Sequence, residues 1–192
     1  YLAIIWAMSI RVSASIAFIL LIYISNSTVS SDHSAKIIFL MALSLVSSNI
    51  GRFGTDQQIS RSATLFKEKQ NKEASLLVTT HLFLCLSVVP IIALVLYSAI
   101  TYFRAGNLAY SDILIVVILS ISVSTAQTMS SAVQASGQPT ASVVIFPLFA
   151  YLAAITSCLA YPGYEMFVLT GGMVISSLYG ALFLHKFQGI FF

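Results

Sequence analysis

The sequence predicts an all-α membrane protein of about six transmembrane helices. Three observations predict it. Of 192 residues, 58% are hydrophobic and 8% are charged, whereas a water-soluble domain is about a quarter charged. The mean hydropathy is +0.96. Charge is absent from residues 12–31, 74–103 and 113–164, and each of these reaches the length of roughly 20 residues that a span requires. The runs are long and largely unalternating, unlike barrel strands, which alternate over about ten residues. Helices are also the way a single segment satisfies its own backbone where lipid offers no partners.

The first span is expected at 2–25. The Ser-rich stretch 26–34 reads as a loop. The second helix covers 35–58, apolar from 37 to 46 and then polar through Ser47, Ser48 and Asn49. A basic connection follows with Arg61, Lys67, Lys69 and Lys72. The third span lies at 76–102, and Pro90 in its middle is expected to kink it, because the ring removes a backbone donor. A short loop, 104–112, leads to the charge-free stretch 113–164, which is too long for one crossing. Ala135-Ser136-Gly137-Gln138-Pro139 is its natural turn, dividing it into spans at 113–133 and 141–161, with Pro147 bending the second. Pro162-Gly163 makes the next turn, and the sixth span is 166–185. Residues 1–192 thus read as a single transmembrane lobe. The chain opens at Tyr1 inside an apolar segment and ends at Phe192 just past another. The expectation is therefore a fragment of a longer polypeptide.

Charge orients the bundle. Eight of the fifteen formal charges fall between Arg52 and Glu73. The Lys and Arg content of that connection places it in the cytoplasm, and six spans then put both chain ends there as well. Lys186 agrees, while Lys36 and Arg104 are exceptions. A basic face spread over a soluble fold, as a nucleic-acid binder needs, is missing. Cys85 and Cys158 lie in apolar runs and read as small hydrophobes. With no CxxC pair and no His cluster, no metal or cofactor is expected. His33, His81 and His185 read as residues of the membrane interface. No catalytic constellation is present. Asp32, Asp112 and Glu165 are expected to sit singly in loops, and the chain is not expected to be an enzyme.

The candidate site residues are polar groups at depths where lipid disfavours them. Arg11 lies near the middle of the first span, where an Arg costs about 2.5–3.5 kcal/mol on insertion scales. It is expected to face protein, water or an anionic ligand, or else to snorkel to an interface. On the second helix Ser44, Ser47, Ser48, Gly51, Arg52 and Thr55 recur at spacings of three and four, which places them on one face. Asp56 is spaced to pair with Arg52. This face lines a wet path, or alternatively forms a packing seam. On the fourth span Ser120, Ser124, Gln127, Ser131 and Gln134 share a face opposite Ile and Val, lining a lumen or bonding between helices. Gly172, Ser176 and Gly180 form a small-residue ridge for close packing.

The segment Ile50-Gly51-Arg52-Phe53-Gly54-Thr55-Asp56-Gln57-Gln58-Ile59-Ser60-Arg61 resembles the end of the second helix in polysaccharide flippases of the multidrug/oligosaccharidyl-lipid/polysaccharide exporter superfamily. The resemblance includes the basic connection after it and the 135–139 turn, and it is nearest to O-antigen flippases of the Wzx type. The chain departs from that pattern at 26–34, where the family usually carries a Pro and a Phe-Gly. The resemblance implies the first lobe of a MATE-like transporter, embedded in membrane lipid of the bacterial inner membrane, with a second lobe elsewhere in the same chain. The implied substrate is a polyprenyl-pyrophosphate-linked oligosaccharide. Arg11, Arg52 and Arg61 would meet its pyrophosphate, and the Ser and Gln stripes its sugar hydroxyls. Rival readings are a cation-coupled multidrug exporter of the same superfamily, which would more often use carboxylates, a membrane-embedded polysaccharide polymerase, which would need a longer external loop, and a purely structural subunit.

Overall fold

The computed structural model describes residues 2–54, 58–59, 61–62, 71–103, 110–138 and 148–188. Within them the chain is all-helical: α1 (Leu2–Thr28), α2 (Ser31–Gly51), α3 (Asn71–Phe103), α4 (Tyr110–Ala135), α5 (Leu148–Ala160) and α6 (Glu165–Gln188). Among the described residues, α2, α3, α4 and α6 are each long and apolar enough to cross a membrane. The described side chains of α1 and α5 form shorter apolar stretches, Val12–Thr28 and Ala150–Ala160, although α1 as a whole has 27 residues. The chain is therefore an all-α, membrane-embedded protein.

The helices close into a ring in the order α1, α2, α4, α6, α5, and α3 packs on the flank made by α2 and α4. One apolar core draws side chains from all six helices, among them Leu21, Leu40, Tyr97, Leu119, Tyr151 and Leu169. A second cluster, built on Ile59, Val78, Met129, Val133 and Leu184, lies toward the basic end. The outer surface is apolar as well. Phe83, Leu86, Ile91 and Val95 of α3 are all exposed. Such a patch on a soluble monomer would mark a partner. Here it is the lipid face.

Two expectations are corrected at helix ends. Residues 26–34 are not a loop. Ser27 and Thr28 turn their hydroxyls back to the Ile24 carbonyl, at 2.9 and 2.8 Å, so these polar residues stay helical. Ser30 then caps α2: its backbone is extended (φ −171°, ψ 164°) and its hydroxyl accepts from the His33 amide at 3.1 Å. Asp32 stands in the first turn, where a helix favours negative charge. The connection is thus a tight corner of two residues.

The second helix does not continue to 58 as one element. α2 ends at Gly51, with Arg52 at its C-cap, and the chain then passes through two left-handed residues, Phe53 (φ 46°) and Gly54 (φ 74°). Left-handed backbone stops a helix. Glycine at 54 accepts it without strain, whereas Phe53 does not.

The two other turns lie where expected. Gly137 (φ 89°) follows α4, and Gly163 (φ 100°) separates α5 from α6. Pro90 sits inside α3, which runs on through it. Pro139 and Pro147 lie outside the described residues.

Close helix approach occurs at two glycines. A Cβ at Gly51 would lie 2.6 Å from Val89 Cγ2, and one at Gly172 would lie 2.8 Å from the Ala150 Cα. The ridge on α6 is therefore a packing surface against α5, with Ser176 and Gly180 also buried. At Gly171, next to it, a Cβ would meet nothing within 4 Å. Gly172→Ala is expected to lower stability by about 1–3 kcal/mol through overpacking against backbone, while Gly171→Ala is neutral or slightly stabilising. Thermal unfolding of both variants in detergent checks this, and equal melting temperatures would show that the α5–α6 approach is looser than described.

Candidate functional site

The polar stripes meet each other. α4 is the hub, and hydroxyl contacts join it to three neighbours. Toward α2, Ser44 donates to the Val116 carbonyl and Ser48 to Gln127 Oε1, both at 3.4 Å. Toward α3, Ser124 donates to Cys85 Sγ at 2.9 Å, and Thr128 lies 3.5 Å from the same sulfur. Toward α6, the Thr125 and Ser177 hydroxyls are 2.9 Å apart. Ser44, Ser48, Ser120 and Ser124 are fully buried. Gln127 and Ser131 are half-buried, and Gln134 is exposed as the stripe reaches the basic end. Of the two readings open for these faces, the described contacts are those of a seam between helices.

Arg52 closes this seam at the basic end. It is 5% exposed, and its side chain folds back onto its own helix. Nε donates to the Ser48 carbonyl at 3.2 Å and Nη2 to Asn49 Oδ1 at 2.5 Å. Carbonyls at a helix C-terminus are the natural partners of a cation. The chain thus brings together Arg52, Ser48 and Gln127 at the α2–α4 contact, with Ser124 on the adjoining face of α4. Arg61 is exposed. The backbone of Arg11 belongs to α1, but its side chain lies outside the described residues, as do Thr55 and Asp56.

A second polar cluster, which the sequence reading misses, lies at the opposite end of the bundle. Glu165 is not a loop residue. It begins α6 and is fully buried. His33 Nε2 lies 3.2 Å from Glu165 Oε1, and the Cys158 thiol donates to the same oxygen at 3.4 Å. Thr28 Oγ1 is 3.3 Å from the Cys158 sulfur, and Ser25 lies against that thiol too. Four helices, α1, α2, α5 and α6, therefore converge on one carboxyl. The carboxyl's other oxygen, Oε2, is buried with no hydrogen-bond partner, and so is Ser25 Oγ.

His33 also lines a cleft of about 160 Å³ between α2, α4 and α6, together with Lys36, Ser111 and Asp112. Lys36 and Asp112 pair across it at 2.7 Å. Among the described residues no group of three or more His, Cys, Asp and Glu side chains is arranged to hold a metal ion. His33 and Cys158 both spend their contact on a single Glu165 oxygen.

The histidines also differ from expectation. His81 is 3% exposed rather than interfacial. Its Nδ1 lies 2.6 Å from the Leu77 carbonyl and its Nε2 3.2 Å from Gln58 Oε1, tying the segment after α2 to α3. His185 is exposed. The one sequence signal for His33 and Glu165 is their position. Each sits within three residues of a tight turn at the same end of the bundle, but pairing them requires knowing that α2 packs on α1, α6 on α5, and α1 on α5.

No family model matches the chain, and neither a curated protein nor a solved structure matches it.

The seam predicts a graded response. Ser124→Ala removes one interhelical hydrogen bond, worth about 0.6 kcal/mol in membrane proteins, and leaves the fold intact. Ser124→Leu forces a large side chain against Cys85 and is expected to cost several times more. Unfolding of the two variants in detergent reads the difference, and equal tolerance of Leu would mean that the face opens onto a lumen.

Proposed function

We propose that the chain forms one lobe of a transporter that moves a polyprenyl-pyrophosphate-linked oligosaccharide across a bacterial cytoplasmic membrane, as O-antigen flippases do. The resemblance over residues 50–61 suggests this, and one observation carries it. Arg52 is a guanidinium kept out of bulk water at the end of a membrane-spanning helix, beside Ser48 and Gln127. Intramembrane arginines are rare and usually serve an ion or substrate path, and a planar guanidinium suits a diphosphate.

The apolar core is drawn from all six helices, so the path in this reading runs along the outside of the bundle, against a second lobe. Rocking of the two lobes about a midplane site would move the substrate. The basic connection after α2 faces the cytoplasm, where lysine and arginine accumulate, and the Glu165 cluster then lies on the opposite side.

A cation-coupled drug exporter of the same superfamily is the second reading. The buried carboxylate of Glu165 favours it, because carboxylates suit cationic cargo.

Arg52→Ala in the full-length protein is expected to reduce surface polysaccharide while protein abundance in the membrane holds, and Arg52→Lys to restore it in part. Polysaccharide staining alongside immunoblotting measures both. Unchanged polysaccharide at normal abundance would remove Arg52 from transport, and efflux of cationic dye by the wild type would favour the second reading.

A further inference from the structure

The cleft between α2, α4 and α6 has a floor and a rim of opposite character. Its floor is apolar. Ile37, Leu40 and Met166 are buried there as part of the main core, with Ile115 packed beside them. Its rim is polar and carries both signs of charge. Lys36 Nζ and Asp112 Oδ1 meet there at 2.7 Å, with side chains 49% and 14% exposed. Ser111 adds an exposed hydroxyl. From His33 to Leu40 the α2 wall descends about 10 Å along the helix.

The rim stands at the level of the lipid headgroups. α1, α3 and α5 end on this side of the bundle, and α2, α4 and α6 begin here. Tyr102, Tyr110, Tyr161 and Tyr164 lie at or next to these helix ends, and all are exposed. Tyrosine gathers where hydrocarbon gives way to water, because its ring is apolar and its hydroxyl is not. The Tyr164 ring lies 6.5 Å from that of Phe167, an exposed residue of the cleft. The aromatic belt therefore reaches the edge of the cleft.

The charges restrict the guest. A lone anion would meet Asp112, and acidic residues already occupy the first turns of α2, α4 and α6, where a helix favours negative charge. A lone cation would meet Lys36. A guest with both charges close together suits the pair, because each charge keeps an opposite neighbour as the guest enters. An ammonium has three donors, so Lys36 can hold Asp112 and a phosphate at once. A primary ammonium also has N–H groups to donate to the Asp112 carboxylate, and a quaternary one has none. The cleft volume, about 160 Å³, is near the roughly 150 Å³ that accepts one benzene. It admits a short stretch of one acyl chain rather than a whole lipid.

The geometry points to a binding site for a phosphoethanolamine lipid: Lys36 takes the phosphate, Asp112 the primary ammonium, and the apolar floor the first carbons of a chain. The site stands on the cleft and its ion pair alone and does not depend on what the protein transports.

The test uses the full-length protein in nanodiscs that contain equal amounts of phosphatidylethanolamine, phosphatidylcholine and phosphatidylglycerol. Native mass spectrometry identifies the lipid that the released protein retains. The wild type is expected to retain phosphatidylethanolamine above the other two. Asp112→Asn loses that preference, while Asp32→Asn, an exposed acid in the first turn of α2, keeps it. Ser111→Trp is the second variant, should Asp112→Asn fail to fold. It narrows the mouth of the cleft from an exposed position, leaves both charges in place and lowers retention of phosphatidylethanolamine. Soluble glycerophosphoethanolamine, which lacks the chains, is expected not to displace the lipid. A wild type that retains the three lipids equally, or favours phosphatidylglycerol or phosphatidylcholine, overturns the inference. So does a preference unchanged in Asp112→Asn or, where that variant does not fold, in Ser111→Trp. Loss of the preference in Asp32→Asn, or displacement by the chain-free headgroup, overturns it as well.

Discussion

The solvent of this protein offers no hydrogen bonds, and most of its architecture follows from that. In hydrocarbon each unmatched polar group costs several kcal/mol. Backbone groups are therefore closed within helices, and side-chain hydroxyls turn to a carbonyl one turn back or to a neighbouring helix. Ser13, Ser87, Thr80 and Thr156 take the first course on exposed faces. Ser44, Ser48, Ser124 and Thr125 take the second on the faces of α2 and α4. The result is a bundle with an apolar core, a strip of buried hydroxyls where α2 and α4 meet their neighbours, and Ile, Leu, Val and Phe on its outer surface as well.

Those hydroxyl contacts do not hold the bundle together unaided. At about 0.6 kcal/mol each, those between helices together amount to about the loss from one badly overpacked core position. Contact between backbones carries more, and it is found where glycine permits it, at Gly51 on Val89 and at Gly172 on Ala150. The hydroxyls set which faces meet, and the small residues set how near. Against this background Glu165 is an outlier in scale. The effective burial cost of an ion is several kcal/mol, whereas a helix N-terminus returns at most about 2 kcal/mol in partly buried geometries.

Much of the fold is legible in the sequence because it rests on composition and chain punctuation. Charge-free length marks the spans, and Gly137 and Gly163 mark two of the turns through the backbone conformation that only glycine adopts freely. At the α1–α2 corner a cluster of polar residues misleads, because polarity alone does not break a helix. Ser27 and Thr28 satisfy themselves inside α1, and Ser30 begins the next helix. At the end of α2 the error runs the other way: spacing continues the helix past Gly51, where Phe53 and Gly54 turn left-handed. The stripes on α2 and α4 are legible as faces, but what those faces meet is not, because lumen and seam share one pattern. Glu165 and His33 are hidden more deeply. They lie 132 residues apart, and nothing in either neighbourhood names the other.

The length of α3 has a mechanical consequence. At 33 residues it is about 50 Å long, against a hydrocarbon slab of about 30 Å. Inclination alone would have to exceed the observed range of roughly 0–40° to hide it. Part of the rod must therefore stand clear of the bilayer. Lys72 and Glu73 mark which part, since their first turn is charged, and Ala74 and Val78 just beyond it carry Ile59. The membrane thus leaves α3 with a rigid stalk, a ledge against which Ile59 is held.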